Sequence, residues 1–198
     1  MTPSKNSDRL KLNLGCGYKH LDGWLNVDSV PECNPDLLID LEQVPWVWAD
    51  NSVDEVKLIH VLEHLGESSK TYLAIIKELY RVCAPDAVID IHVPHPRHDH
   101  FIIDPTHVRP ILPEGLQMFD QAKNREWLEN GFANTPLGLQ VGVDFRILEC
   151  QYVLDSGFRE RLDNGQIQDS QIRELMRTHF NVCSEIKIKW QVVKENRT

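Results

Sequence analysis

Lys11-Leu12-Asn13-Leu14-Gly15-Cys16-Gly17 decides the reading of this chain, together with Trp24-Leu25-Asn26-Val27-Asp28 shortly after it. A short apolar run breaks at a Gly-x-Gly turn, and a second run ends on a carboxylate eleven residues beyond Gly17. In an open parallel sheet, a glycine turn at the carboxyl end of the first strand lets a ligand lie against bare backbone. An acid ending the second strand accepts hydrogen bonds from both hydroxyls of a ribose. The pairing points to a nucleoside-bearing cofactor.

A dinucleotide fingerprint needs a third glycine three positions after Gly17, where helix and strand pack tightly around a pyrophosphate. His20 stands there. S-adenosylmethionine has no pyrophosphate and does not need that glycine. Four stretches occur in order: Leu12-Asn13-Leu14-Gly15-Cys16-Gly17, Asn26-Val27-Asp28, Leu38-Ile39-Asp40-Leu41 and His60-Val61-Leu62-Glu63-His64-Leu65. In these the chain resembles the class I S-adenosylmethionine-dependent methyltransferases. More narrowly, it resembles the short members with Gly-Trp-x-Asn-x-Asp after the turn and a later Asp-Pro-Thr-His-x-Arg, here Asp104 to Arg109. The resemblance spans about Lys11 to Arg109. It implies a Rossmann-like α/β sheet, mostly parallel with an antiparallel final strand. It also implies a cofactor site formed by Asn13, Leu14, Gly15, Cys16, Gly17, Asp28, Asp40, Leu41, His60 and Glu63, with Asp40 facing the adenine amino group.

At 198 residues the chain fits one domain: residues 1–9 as a flexible lead, 10–198 as the cofactor-binding domain, and about 95–142 as a substrate or lid region. A net charge of −9 argues against broad binding to a phosphate backbone. Nucleic acid is further disfavoured because enzymes acting on exocyclic base amines commonly carry Asn/Asp-Pro-Pro-aromatic where this chain has His60-Val61-Leu62-Glu63. Five widely spaced cysteines without a C-x-x-C pair indicate neither a disulfide framework nor a zinc knuckle. No run reaches membrane-spanning length, and the polar start lacks a signal peptide's apolar core. A cytoplasmic protein is expected; its oligomeric state is not legible.

Periodicity places strands at Lys11–Leu14, Trp24–Val27, Leu37–Asp40, Val53–Ile59, Ala87–Val93, Val143–Val153 and Val182–Val193. Helices are expected at Ser69–Cys83, Pro113–Asn130 and Ile167–His179. Six residues separate Gly17 from Trp24, and thirteen separate Asp40 from Asp54. Parallel strands normally need a dozen or more residues to cross back. The first helix must therefore be a single turn or absent, so helices are reduced in the first half. The Pro-Gly-Gly turn that the resemblance leads one to expect before strand five is replaced by Ala84-Pro85-Asp86-Ala87. Trp46 and Trp48 either wall the adenine or fill the core.

Five of the nine histidines fall between His92 and His107. Strand alternation makes His92 a packing residue. For His98, His100, Asp104 and His107 three readings compete: general base or acceptor clamp, ligands of a divalent metal, or a solvated loop. A metal is the less favoured of the first two. Arg109 either pairs with Asp104 or holds an anionic acceptor. The reading adopted is methyl transfer from S-adenosylmethionine to a small-molecule acceptor, with His98, Asp104, His107 and Arg109 as catalytic candidates. The rivals are a metal-dependent enzyme with His98, His100, Asp104 and His107 as ligands, and a non-catalytic cofactor-binding regulator.

Overall fold

Alternation along the first strand sorts its side chains. Leu12 and Leu14 are fully buried, and Asn13, between them, is buried on the opposite face. The computed structural model describes residues 10–194, so the expected lead at 1–9 lies outside the described residues. Seven strands form one sheet: β1 (Leu10–Leu14), β2 (Leu25–Asp28), β3 (Leu37–Leu38), β4 (Val53–Ile59), β5 (Cys83–Pro94), β6 (Phe145–Leu154) and β7 (Cys183–Val192). Their order is β3-β2-β1-β4-β5-β7-β6. The first five run parallel, and β7 runs antiparallel to both β5 and β6. The expected α/β sheet with an antiparallel final strand is therefore present.

The topology reverses between β1 and β4, and their carboxyl ends open the crevice where ligands of such sheets bind. No helix joins β1 to β2 or β3 to β4, as the short spacings require. A buried polar chain stands in for the first of these. Asn13 and Asn26 are register partners, and the Asn13 amide donates to Asn26 Oδ1 at 3.0 Å and to the Lys19 carbonyl at 2.9 Å. Asn26 Oδ1 also accepts from Leu21 N, while Asn26 N and Nδ2 both donate to Asp36 Oδ2 at 2.8 Å. These bonds fasten both connections around β2 and hold the Asp36 carboxyl below the usual carboxylate range.

Helix α1 (Ser69–Val82) is capped by Ser68, whose side chain accepts from Thr71 N, and it buries Tyr72, Ile75, Ile76, Leu79 and Val82 along one stripe. Arg81 on this helix bonds Glu78, Asp50 and the carbonyls of Trp46 and Trp48, so the helix clamps the β3–β4 connection. Strand β5 follows α1 directly. Asp86 takes φ +64° where glycine was expected, a conformation that aspartate tolerates better than most residues.

Several boundaries differ from expectation. Strand β3 has two residues, because Asp40 turns the chain by accepting from Glu42 N. The expected helix at Pro113–Asn130 is broken into α3 (Pro113–Leu116), a 3₁₀ turn and α4 (Gln121–Glu129). Asp120 causes the break: it is extended, and its side chain caps α4 through Lys123 N. The loop after Pro94 holds α2 (Asp99–Ile102), and that after Gly131 holds α5 (Leu137–Val141). Helix α6 (Ser156–Asp163), unforeseen in the sequence, is capped by Asp155 and precedes α7 (Asp169–Thr178). Among the described residues no helix is long and apolar enough to cross a membrane.

Replacing Asn26 by alanine removes its side-chain bonds to the buried Asn13 amide, to Leu21 N and to Asp36, and is expected to cost about 1–3 kcal/mol, measured by urea unfolding at neutral pH. Asp36 has a lowered folded pKa, so its contribution is present above the unfolded value of about 3.9 and lost as pH falls through the folded value. The gap between wild type and Asn26→Ala should therefore narrow in acid.

Candidate functional site

Gly15 ends β1 at φ +64°, and a Cβ there would stand 2.5 Å from Val61 Cγ2. Only glycine meets both conditions. Gly17, at φ +49°, has nothing within 4 Å of where its Cβ would point, so the turn leaves open space on that side. Gly17 N donates to Asp28 Oδ2 at 2.8 Å, and Val30 N to Oδ1 at 3.0 Å. Each oxygen keeps a further lone pair. The Asp28 carboxylate thus stands fixed beside the turn, half-buried, at the end of β2.

The other cofactor candidates serve the fold with their side chains. Leu14 and Cys16 are buried, and burial, then the Asp28 charge, push the Cys16 thiol above its usual range. Leu41 is buried, with its carbonyl accepting from Trp46 Nε1. Trp46 and Trp48 meet edge to face, 5.7 Å apart, within the core. Asp40 is exposed and shapes its own turn.

A second cluster forms at the carboxyl end of β4. His60, half-exposed at φ +57°, sets Nε2 3.0 Å from Glu185 Oε1 on β7 and Nδ1 3.5 Å from Glu63 Oε1. Glu63, then Glu185, raise its pKa, with burial opposing. The next residues form a 3₁₀ turn, Leu62–His64, in which Glu63 is buried and its carbonyl accepts from Val108 N and Arg109 N. Those two bonds draw the loop after β5 over the end of β4. His64 Nδ1 then lies 2.9 Å from Thr106 Oγ1, whose hydroxyl donates to Asp104 Oδ1 at 2.6 Å. These Thr106 bonds hold the Asp104 carboxyl below its usual range. His107 stacks on Phe101, puts Nδ1 2.8 Å from the Phe101 carbonyl, and meets the His64 ring edgewise at 4.6 Å. His60, Glu63, His64, His100, Asp104, His107 and Glu185 line a cavity of about 500 Å³.

His98 does not join them. It is buried, caps α2 by accepting His100 N at Nδ1, and sets Nε2 3.4 Å from Asp155. Arg109 does not pair with Asp104 either. Its guanidinium lies 4.3 Å over the Tyr72 ring and donates to the Gly66 carbonyl, at the edge of a second, apolar cavity of about 250 Å³. His92 stays on the sheet, 3.3 Å from Asp90. Three neighbours were not singled out in the sequence: Thr106, Phe101 and Glu185. Thr106 was within reach, since it sits inside Asp-Pro-Thr-His. Glu185 was not, because only the pairing of β7 opposite Pro94 brings it there.

No protein-family model matches the chain, and no curated protein sequence matches it. Solved structures do share its fold. A SAM-dependent methyltransferase from Archaeoglobus fulgidus superposes with a TM-score of 0.62 at 18% identity, over 92% of this chain and 86% of the other. One from Methanosarcina mazei gives 0.55 at 13%, over 96% and 94%. SpnF, a [4+2]-cyclase, gives 0.52 at 15%, over 96% and 78%. The chain therefore has the fold of SAM-dependent methyltransferases, and a cyclase on that fold shows that the sheet alone does not set the reaction.

Gly15→Ala should lose about 1–2 kcal/mol to its left-handed backbone and about 1–3 more to the collision with Val61. Adding Val61→Ala returns the collision share, so thermal unfolding should find the double variant more stable than the sum of the singles.

Proposed function

We propose that this protein binds S-adenosylmethionine over the ends of β1 and β2 and transfers its methyl group to a small-molecule acceptor in the cavity beyond β4. The observation that carries the reading is the pairing of an open glycine turn with a fixed carboxylate, Gly17 N to Asp28 Oδ2 at 2.8 Å, at the topological switch point. A dinucleotide fits poorly. Its pyrophosphate normally rests on the first turn of a helix following the glycines, and residues 15–24 contain no helix.

When bound, S-adenosylmethionine supplies a methyl carbon on a sulfonium leaving group, so transfer is an in-line displacement. The protein's tasks are to align the two partners and receive the acceptor's proton. Asp28 uses its remaining lone pairs on the ribose hydroxyls, and the backbone of Gly15 to Gly17 lets the methionine portion approach. Asp40 and Leu41 border the adenine end; His60 and Glu63 border the amino-acid end. The acceptor faces imidazoles and carboxylates. Of the two candidate bases, His107 keeps a lone pair on Nε2, since Nδ1 must donate to the Phe101 carbonyl. His98 has neither nitrogen to spare. Arg109 and Asp104 act on the shape of the loop, Arg109 through Gly66 and Asp104 through Thr106.

Isothermal titration with S-adenosylhomocysteine and S-adenosylmethionine should give one site per chain, and NAD should give no heat. Asp28→Ala is expected to weaken both by roughly 10- to 100-fold, the loss of hydrogen bonds to a charged acceptor. Absence of heat with either sulfur compound would refute the reading.

A further inference from the structure

We infer that Glu63, His64 and His107 hold a divalent transition-metal ion whose open positions take an oxygen of the acceptor. One donor atom from each of the three residues lies within 4.8 Å of the others. A first-row ion with ligands at about 2.1 Å holds neighbouring donors about 3 Å apart, so the site closes by roughly 1–2 Å.

Both rings are preset as ligands. The Phe101 carbonyl can only accept, so His107 carries its proton on Nδ1 and a lone pair on Nε2. Thr106 has one hydroxyl proton and gives it to Asp104 Oδ1; toward His64 it can only accept. His64 is therefore also protonated at Nδ1 with its lone pair on Nε2. An imidazole tied by its other nitrogen to a carbonyl, or through a hydroxyl to a carboxylate, is how proteins orient metal-binding histidines.

Glu63 supplies the independent sign. It is 1% exposed, yet among the described residues neither carboxylate oxygen meets a hydrogen-bond donor. His60 Nδ1 stands 3.5 Å from Oε1, at the far end of hydrogen-bond range, and that imidazole is shared with Glu185, which its Nε2 meets at 3.0 Å. A buried carboxylate left with one long, shared contact is unfavourable, and a cation between Glu63 and the two imidazoles supplies a full countercharge.

Two imidazoles and one carboxylate suit zinc, manganese, iron(II) or cobalt(II) better than magnesium or calcium, which favour oxygen-only shells. An alcohol or phenol fits the open positions, because the ion would lower the pKa of its hydroxyl while Asp104 and Glu185 repel an anionic acceptor. The consequence for catalysis rests on the methyl-transfer reading, with the ion then taking the His107 Nε2 lone pair and activating the acceptor hydroxyl in place of that base; the binding of the ion does not.

The test uses the full chain without a histidine tag, stripped with a chelator and titrated with cobalt(II). One equivalent per chain with visible absorption bands is expected. His64→Ala and His107→Ala should abolish stoichiometric uptake, and Thr106→Val, at an exposed position, should weaken it roughly 10- to 100-fold. His100→Ala should leave uptake intact. Circular dichroism checks folding, and S-adenosylhomocysteine affinity is measured on every variant. No uptake by wild type, uptake that survives His107→Ala, or loss only in His100→Ala overturns the assignment. Cobalt bound without S-adenosylhomocysteine keeps the metal site and removes the methyl-transfer reading. The reverse result does the opposite.

Discussion

The arrangement depends on the buried asparagine pair between β1 and β2. Doubly wound sheets usually cover the cofactor side of the first strands with a helix. Here the connection is too short for one, and the Asn13 amide facing Asn26 Oδ1 at 3.0 Å takes its place. A buried amide left unpaired is costly, so this contact fixes the register of β1 on β2. That register in turn puts Gly17 N against Asp28. Were the strands to slip by one residue, Asn26 would face the opposite side of the sheet and the carboxylate would leave the turn. The geometry of the Gly17–Asp28 pair is therefore set by a polar contact, whereas α1 and the rest of the sheet rest on apolar burial.

Much of the fold was legible because it depends on short-range pattern. The apolar stripe from Tyr72 to Val82, the alternation in β7 and the spacing that forbids early helices are all properties of neighbouring residues. The break at Asp120 shows where pattern fails: a helical periodicity continues across it, but the aspartate prefers to cap. Helix α6 was missed for a related reason. It buries none of its residues, so no apolar stripe announces it, and its cap at Asp155 reads as one more loop acid.

The site was half legible. Gly15, Gly17 and Asp28 lie close in sequence and form one turn. The histidines were visible as a group, but the sequence could not sort them. His98 and His107 look alike in the loop, and the fold gives them opposite environments: one spends its nitrogens on the α2 cap and on Asp155, the other keeps a lone pair toward a cavity. What sorts them is the pair of backbone bonds from Val108 and Arg109 to the Glu63 carbonyl, 45 and 46 residues back along the chain. Glu185 enters through an antiparallel pairing that no local signal encodes.

The turn after β4 joins the two halves of the site. Val61 fills the space that a side chain at Gly15 would need. Leu62 is fully buried, and Glu63 and His64 line the cavity beyond β4. Four consecutive residues thus touch the glycine turn, the core and the imidazole cluster in succession. Because Leu62 anchors the turn in close-packed surroundings, it cannot shift at one end without disturbing the other. For the in-line transfer proposed above this matters more than any single contact, since donor and acceptor must keep a fixed separation and angle. A close-packed turn shared by both sides would hold that relation, although no helix joins β1 to β2 or β3 to β4.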